Sequence, residues 1–451
     1  MAKKSASASA PTRFLLAHLY KLRTAPLPPP QSSIPTRAKL RATLPRPAQQ
    51  SSIPKPRQER RPAAGAMSFS SACKQQVLGA GGEEAREEEG AMELIPGLPE
   101  EVAEKCLLHL PFLYHRLFRT VSSNWNRFLT DAPGAAAKTK GSAPPAATVS
   151  LSLPFLFAFA FDPVSRRLQC QALDPFSRRW LLLPPVPCGA AAGSFAVVGL
   201  PARGEIYVIG GVEEGGDKAV SSVAVYSAAT NGWGQVAGMR TARGYMAAGE
   251  VGGRVVVAGE DGEAEVFDPE AGRWSPAAPR GGAAVARYDA AAAGGKLYVT
   301  EGWAWPFERA PRGAVYDAAA DAWSDMARGM REGWTGSCAV SGGRMYIVAE
   351  YGEWRLKRYD EPRDEWRMVA GGGVPQEVRR PHVVAGQLEE VGGGRRRIYV
   401  VGAGLDVAVG TVVSAANHGA GTEEERVEWE VVKGPEEFVG LAPCNAQVLY
   451  A

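Results

Sequence analysis

The sequence has few of the residues on which metal sites and disulfide-linked folds depend. Its six cysteines are scattered, with no two closer than eighteen residues and no Cys-x-x-Cys pair. Of its five histidines only His382 and His418 lie beyond residue 150, and neither has a second ligand at metal-binding spacing. This pattern argues against a disulfide framework and favours reduced thiols in the cytoplasm or the nucleus. We expect no metal and no cofactor.

Long apolar segments and nucleotide-binding motifs are also missing. The nearest apolar run, Leu151–Phe161, is shorter than the ~18 residues that span a bilayer, so we interpret it as a buried strand and expect no membrane partner. The glycine run 392–394 is followed by Arg395 rather than by the Gly-Lys-Ser/Thr of a phosphate-binding loop. No Ser/His/Asp arrangement or pair of carboxylates stands out. The sequence predicts no catalytic residue and favours a binding function over an enzyme.

Charge is distributed unevenly along the chain. Residues 1–81 contain fourteen Lys or Arg and a single acid, Glu59, whereas the whole chain has a net charge of +3, so residues 82–451 carry a net charge of −10. An acidic folded region argues against a nucleic-acid partner. The Pro-, Ser- and Arg-rich composition predicts a disordered tail and an acidic linker over residues 1–91. An organelle transit peptide and a translation start at Met92 are the alternatives.

A helical module is predicted over residues 92–135. Pro99 suits a first helical turn, and the two glutamates after it suit the positive end of a helix. The apolar residues that follow have helical spacing and form one stripe: Val102, Cys106, Leu107 and Leu110. Pro111 ends this helix and begins a second, and a third contains Trp125. Because three short helices make a small core, we expect the module to share its apolar face with a partner.

These residues resemble the F-box family. The family's pattern is Leu-Pro, a hydrophobic residue three positions on, a small residue before Leu, a second Leu-Pro, and Val-Cys-x-x-Trp. This sequence departs from it at Ser122, where Cys is usual, and at Ser123, where a basic residue is usual. The resemblance implies binding to a Skp-type adaptor and, through it, to a cullin. The implied adaptor-binding residues are Leu98, Pro99, Val102, Cys106, Leu107, Leu110, Pro111, Leu117, Val121 and Trp125. The alternative is an unrelated helical hairpin that caps the β domain.

The rest of the chain, residues 150–451, consists of repeats. Four units place a Tyr or Phe seven residues before a Trp, at positions 226/233, 267/274, 316/323 and 359/366. Leu173 precedes Trp180 by the same interval, and a looser sixth unit ends at Trp429. Each unit also has an apolar strand that ends in small residues, as in Ile206–Gly211. We expect this strand to be the inner one of a four-stranded blade, where crowding at the axis leaves no room for a Cβ atom.

The count of strands predicts a β-propeller of about six blades. The first unit lacks a strand before Phe155, and the C-terminal segment Cys444–Ala451 has the pattern of the strand that precedes a further unit. Pairing of these two segments would close the ring and remove both exposed edges. Five blades with irregular ends are the alternative. The fold class is therefore mainly β, with the helical module and the tail in front of it.

The repeats resemble the kelch family, although only Gly210-Gly211 keeps the family's double glycine. Some kelch-like propellers are enzymes, but no ligand set for such chemistry is evident. A binding surface is favoured because Trp and Arg gather in the loops of two successive units, and such residues often form binding hot spots. The candidate substrate-binding residues are Trp303, Trp305, Arg331, Trp334, Trp354 and Arg355. The alternative is that these tryptophans fill gaps between blades.

The order of an F-box followed by a kelch ring resembles that of plant ubiquitin-ligase receptors. The segment Met92–Pro99 looks like the start of the KISS ME DEADLY group of F-box/kelch proteins. The resemblance implies a receptor that presents proteins for ubiquitination and degradation, with phenylalanine ammonia-lyases or type-B cytokinin response regulators as targets. It implies no catalysis by this chain, whose role would be to position the substrate. A kelch scaffold or a propeller enzyme without a ligase role is the alternative.

Overall fold

The helices lie at the N-terminal end of the region that the structure covers. The computed structural model describes residues 94–108, 110–131, 153–165, 167–187, 194–213, 218–259, 262–280, 289–302, 310–350, 354–379, 382–386, 395–415 and 424–450. The helices are α1 (Glu100–Leu108), α2 (Phe112–Phe118), α3 (Ser123–Asp131) and, much later in the chain, α4 (Arg328–Gly333). The first three are the helices predicted for the helical module. The tail predicted over residues 1–91 lies outside the described residues.

Six antiparallel sheets follow, each forming one blade of a propeller. Strands are given from the innermost outward. The first blade contains β25 (Ala442–Tyr450), β1 (Pro154–Asp162), β2 (Arg167–Asp174) and β3 (Arg179–Leu182), and the second contains β4 (Ala196–Leu200), β5 (Glu205–Ile209), β6 (Val223–Ser227) and β7 (Gly232–Val236). The third contains β8 (Met246–Val251), β9 (Arg254–Gly259), β10 (Ala264–Asp268) and β11 (Arg273–Ala277). The fourth blade contains β12 (Asp289–Ala293), β13 (Lys296–Thr300), β14 (Gly313–Asp317) and β15 (Ala322–Asp325), and the fifth contains β16 (Gly336–Ser341), β17 (Arg344–Ala349), β18 (Leu356–Asp360) and β19 (Glu365–Met368). The sixth contains β21 (Val383–Gly386), β22 (Arg395–Val401), β23 (Val407–Ala415) and β24 (Glu424–Val432). A short strand, β20 (Ala370–Gly371), runs parallel to β24 on its outer side.

The ring closes by pairing its two ends, as the sequence predicts. β25 is the innermost strand of the first blade and pairs antiparallel with β1, from Pro154 opposite Tyr450 to Phe161 opposite Ala442. The innermost strands contact one another around the whole circle, with β25 between β21 and β4. The six-bladed architecture is therefore confirmed.

One expectation about the blades is wrong. The apolar strands that end in small residues, such as β5 and β9, are the second strands of their blades and not the innermost ones. The innermost strands are richer in alanine and glycine, and β12 has the sequence Asp-Ala-Ala-Ala-Ala. The second strand is the most apolar because it has a strand on each side and a neighbouring blade against each face. The narrow axis instead selects small side chains on the innermost strand.

Crowding between blades nevertheless explains the double glycine. A Cβ atom on Gly210 would lie 2.6 Å from the carbonyl oxygen of Arg243 and 2.5 Å from the side chain of Met246. Both belong to the segment that enters the third blade, so the close approach is between the end of the second strand and the next blade. Gly210 and Gly211 also have positive φ angles of 56° and 111°, which favour glycine.

The interval of seven residues between aromatic residue and tryptophan is explained by the outer hairpin. Tyr226 lies directly opposite Trp233 across the β6–β7 pair, and the other units repeat this register. In the sixth blade Trp429 faces Gly410, where a Cβ atom would lie 2.6 Å from the indole ring. The sixth unit departs from the interval of seven because a glycine stands in the aromatic position and the hairpin between its third and fourth strands is longer.

The tryptophans also connect each blade to the one before it. In five blades the indole N–H donates to a backbone carbonyl that follows the outer strand of the preceding blade, at 2.8–3.1 Å: Trp233 to Pro184, Trp274 to Ala237, Trp323 to Ala278, Trp366 to Met330 and Trp429 to Gly372. Trp180 of the first blade differs. Its Nε1 is buried and finds no partner in the described part of the chain, while its ring packs edge-on against Phe438.

A carboxylate in the outer turn strengthens the same interface. Asp364 accepts a hydrogen bond from the Tyr359 hydroxyl at 2.7 Å and two from the backbone N–H groups of Gly329 and Met330, at 2.7 and 2.8 Å. Burial raises the pKa of Asp364, but these hydrogen bonds outweigh burial and hold its pKa below the usual value. Asp364 has a φ of 51°, and Gly272 occupies the corresponding position in the third blade, where Phe267 has no hydroxyl to donate.

Replacement of this carboxylate is expected to weaken the junction between the fourth and fifth blades. Asp364→Gly keeps a residue that tolerates positive φ and removes only the acceptor, so we expect a loss of about 2–4 kcal/mol in the free energy of unfolding, measured by denaturant titration. Asn231→Gly is the matched control, because Asn231 accepts the Tyr226 hydroxyl at 2.8 Å at the corresponding position; it should cost about 1 kcal/mol. Equal losses would show that the inter-blade bonds of Asp364 contribute nothing.

Candidate docking helices and propeller loops

The three helices of the helical module form a small core of their own. Ala103, Leu107 and Leu129 are buried. The Trp125 indole donates to the carbonyl of Leu94 at 2.5 Å and its ring lies 5.9 Å from that of Phe118, so α3 holds the segment that precedes α1. Ser122 accepts a hydrogen bond from the backbone N–H of Trp125 at 3.1 Å. It therefore acts as the N-cap of α3, a role that suits serine.

The predicted adaptor-binding residues divide into those that face solvent and those that support them. Leu98, Pro99, Val102, Cys106, Leu117 and Val121 are exposed. Leu110, Pro111 and Trp125 are half-buried, and Leu107 is buried in the core of the module. Exposed apolar side chains of this size, with 58% of Leu117 and 59% of Val121 accessible, are what a partner-binding surface presents.

The helix α1 has two apolar faces where the sequence predicts one stripe. Ala103 and Leu107, four residues apart, point into the module, whereas Val102 and Cys106 point to solvent. Leu108, which is not among the predicted adaptor-binding residues, is also exposed, at 42%. Two adjacent residues of a helix point in different directions, so the pair Leu107-Leu108 in the sequence indicates that one of the two leucines faces away from the core of the module.

The helical module contacts the first blade directly. The Tyr114 hydroxyl of α2 donates to the Asp174 carboxylate at 2.7 Å and lies 3.3 Å from the Ser177 hydroxyl. Its ring meets that of Phe155 edge-on, with centroids 6.0 Å apart, and Leu113 is buried in the cluster between the first and second blades. Burial raises the pKa of Asp174, but the hydrogen bonds from Tyr114 and Ser177 outweigh it and leave the pKa lowered.

The antiparallel order of the strands defines two edges in every blade. At one edge, which we call the turn edge, lie the end of the first strand and the start of the second, and the connection from the third strand to the fourth. At the opposite edge, the loop edge, lies the connection from the second strand to the third. Phe155 near the start of β1 and Asp174 at the end of β2 both lie at the turn edge. The helical module therefore contacts the turn edge, and the loops between second and third strands leave from the opposite ends of the strands.

The predicted substrate-binding residues are separated by the structure. Trp303 and Trp305 belong to the loop that joins β13 to β14, and they lie outside the described residues. Trp354 and Arg355 belong to the corresponding loop of the fifth blade and are half-buried. Trp354 has a φ of 55°, an unusual conformation for a large side chain, and its ring lies 5.4 Å from that of His382.

The other two predicted residues lie in the segment between the fourth and fifth blades. Arg331 belongs to α4, and its charge helps to lower the pKa of Asp364 after the larger effects of burial and hydrogen bonding. Trp334 is fully buried, donates to Asp289 at 3.2 Å and stacks edge-on against Trp366. Its side chain is not accessible to a substrate, so for this residue the gap-filling alternative applies.

The fourth-blade loop has a fixed base. The Arg312 guanidinium pairs with the Glu301 carboxylate, Nη2 to Oε2 at 3.0 Å, and the Arg312 backbone N–H donates to the same carboxylate at 2.7 Å. The Glu301 backbone N–H in turn donates to the carbonyl of Arg312 at 3.1 Å. These contacts hold the two ends of the loop that contains Trp303 and Trp305.

No three His, Cys, Asp or Glu side chains in the described regions are grouped so that they could bind a metal ion. No helix there is both long and apolar enough to cross a bilayer.

A buried Trp334 and an exposed binding residue would respond differently to truncation. We expect Trp334→Ala to lower the free energy of unfolding by about 3–5 kcal/mol, because it opens a large cavity between the fourth and fifth blades. Leu182→Ala, at a side chain that is 72% exposed, should change it by less than about 0.5 kcal/mol. A Trp334→Ala protein as stable as the parent would contradict the placement of this side chain in the core.

Known proteins are similar to both the helical module and the propeller of this chain. The family model of the F-box domain matches residues 95–133. The F-box protein AFR of Arabidopsis thaliana is 36% identical over 370 residues, which cover 79% of this chain and 92% of that protein. An F-box/kelch-repeat protein of the same plant is 35% identical over 367 residues, which cover 79% of this chain and 87% of the relative. A second such protein is 27% identical over 382 residues, with 66% and 76% covered.

Proposed function

The chain belongs to the F-box/kelch-repeat family of plant proteins, and we propose that it serves as the substrate receptor of an SCF-type ubiquitin ligase. In this proposal the F-box binds a Skp-type adaptor, and the propeller binds the protein to be ubiquitinated. We extend the proposal to a cullin, joined through the adaptor, and to action in the cytoplasm or the nucleus. The chain would contribute position rather than chemistry, by raising the effective concentration of the target near the ubiquitin-charged enzyme.

The observation that carries this proposal is the exposed apolar surface of the F-box. Leu98, Val102 and Cys106 follow one another at intervals of four residues, so they line one side of the chain as it enters and follows α1. Leu117 and Val121 are the most exposed of the large apolar residues in the F-box. A module with so small a core gains no stability from presenting these side chains to water, which supports their use by a partner.

Acidic substitutions at this surface are expected to abolish adaptor binding. In the double variant Val102→Asp/Leu117→Asp, two carboxylates would have to be buried without partners, so we expect the affinity for a Skp-type adaptor to fall at least about thirtyfold, measured by calorimetry. The matched control is Val164→Asp/Val439→Asp, which makes the same change at two exposed apolar residues of the propeller, 92% and 79% accessible. Binding that survives the first change, or is lost equally in the control, would argue against the receptor role.

The loop edge supports the second half of the proposal. The loops with Trp303, Trp305, Trp354 and Arg355 leave the ring at the ends of the strands opposite to those that contact the F-box. A target bound there would not compete with the adaptor for space. As targets we propose phenylalanine ammonia-lyase or a type-B response regulator, the two classes that the resemblance to the KISS ME DEADLY group implies.

Substrate capture and adaptor binding should be separable by mutation. Arg355→Ala removes a cation from the loop edge and is expected to weaken capture of the target about tenfold or more, with adaptor affinity unchanged. Both proposed target classes would be tested in a pull-down with the parent and the variant. Arg426→Ala, at an exposed residue of the outer strand β24, is the control for loss of a positive charge. If the parent captures neither class, the target belongs to another class of protein.

A further inference from the structure

At the end of the third strand of the first blade, Asp174 accepts a hydrogen bond from a helix outside the ring. Asp174 is the last residue of the third strand, and it caps its own turn through the backbone N–H groups of Phe176 and Ser177. Asp268 and Asp317 do the same in the third and fourth blades and are partly exposed. Asp174 is only 4% exposed and accepts in addition the Tyr114 hydroxyl.

The first blade is also the blade whose aromatic position is occupied by an aliphatic residue. In the second, fourth and fifth blades a tyrosine at this position donates its hydroxyl to the residue five positions later. In the first blade the position is Leu173, and the Tyr114 hydroxyl of the F-box reaches a different residue of the turn, Asp174, one position after Leu173. The F-box thus adds a tyrosine–aspartate hydrogen bond to the turn of this blade, at a residue other than the one that Tyr316 and Tyr359 reach in their own blades.

Apolar packing accompanies this hydrogen bond. Leu113, the neighbour of Tyr114 on α2, is 5% exposed and packs in the cluster formed by the first and second blades. The Tyr114 ring meets Phe155, which is completely buried. A charge-assisted hydrogen bond supported by two buried contacts has a defined geometry, unlike a connection through the chain alone.

We propose that Tyr114 is a positioning residue, which together with Leu113 fixes the F-box on the turn edge of the first blade and so sets the distance between the adaptor and the target bound at the propeller loops. The inference rests on the proposed function for its consequence in ubiquitin transfer, but the docking itself is independent of it. A fixed distance matters because transfer requires the target lysine to reach the ubiquitin-charged enzyme.

The docking can be measured without a ligase. Spin labels at Thr130 of α3 and at Val164 of the propeller, both exposed, report the distance between the two parts in full-length protein whose accessible cysteines are replaced by serine. We expect one narrow distance distribution in the parent and a broad one in Leu113→Ala/Tyr114→Ala. Tyr114→Phe should broaden it partially, because it removes the hydroxyl alone. Tyr316→Phe, which removes the equivalent hydroxyl within the fourth blade, should leave it narrow.

The functional consequence is a change in turnover and not in binding. With adaptor, cullin and a captured target, Leu113→Ala/Tyr114→Ala is expected to lower the rate of ubiquitin transfer at saturating target about tenfold, with adaptor affinity and the KM for the target within about twofold of the parent. Tyr114→Phe should give a smaller loss in the same direction.

Each unfavourable outcome has a distinct meaning. A distance distribution that stays narrow in both Tyr114 variants overturns the proposal, as does broadening in Tyr316→Phe, which would indicate a general loosening of the ring. A broadened distribution with an unchanged transfer rate overturns the positioning role. If the parent binds no adaptor, the proposed function fails, and the distance measurement alone still decides whether Tyr114 fixes the F-box.

Discussion

The pairing of β1 with β25 is the constraint on which the rest of the molecule depends. Each blade buries its faces only against its two neighbours, so a propeller that does not close leaves two blades with an apolar face in water. The pairing extends along nearly the whole of both nine-residue strands, and it brings residues about 290 positions apart, such as Phe159 and Asn445, opposite each other. A contact so distant in sequence is costly in chain entropy, and the long register offsets that cost.

The junction of the sixth and first blades, where the ring closes, differs from the other five. There Trp180 lacks the carbonyl partner that the corresponding tryptophans have, and Leu173 replaces the aromatic residue opposite it. Across this junction the Arg178 guanidinium of the first blade pairs with the Glu430 carboxylate of the sixth, and the Arg397 guanidinium lies 4.6 Å from the centroid of the Phe176 ring. Asp174 of the first blade caps its own turn and in addition accepts the Tyr114 hydroxyl.

Buried carboxylates distinguish the other junctions from one another. Glu265 of the third blade accepts from the backbone N–H groups of Arg240 and Thr241 and from the guanidinium of Arg243, all in the segment that leads from the second blade. Glu425 of the sixth blade accepts from Arg344 at 2.7 Å and from Tyr346 at 3.1 Å, both in the fifth. A buried carboxylate without its partners costs several kcal/mol, so Glu265 and Glu425 favour the pairing of the third and sixth blades with the neighbours that supply those partners.

The sequence predicts what depends on local spacing and misses what depends on the meeting of distant segments. The helices follow from Pro99, Pro111 and an apolar period of 3.6, and the blades follow from the interval of seven between Tyr226 and Trp233, which is set by one hairpin. The innermost strands were assigned wrongly because their alanines carry little hydrophobic signal. Which face of α1 is buried could not be predicted, since Val102 and Leu107 are equally apolar and only tertiary packing separates them.

The contact of Tyr114 with Asp174 shows where such reasoning ends and why. Neither residue is unusual in its own segment: Tyr114 is one aromatic residue of a short helix, and an aspartate closes the third strand in several blades. The pairing is evident only when the two segments meet, sixty residues apart in the chain. Leu173 in the aromatic position does not by itself indicate this contact, because Phe267 in the third blade and Gly410 in the sixth also lack a hydroxyl there. A docking contact of this kind therefore follows from the meeting of two segments in the fold and not from a gap in the repeat pattern.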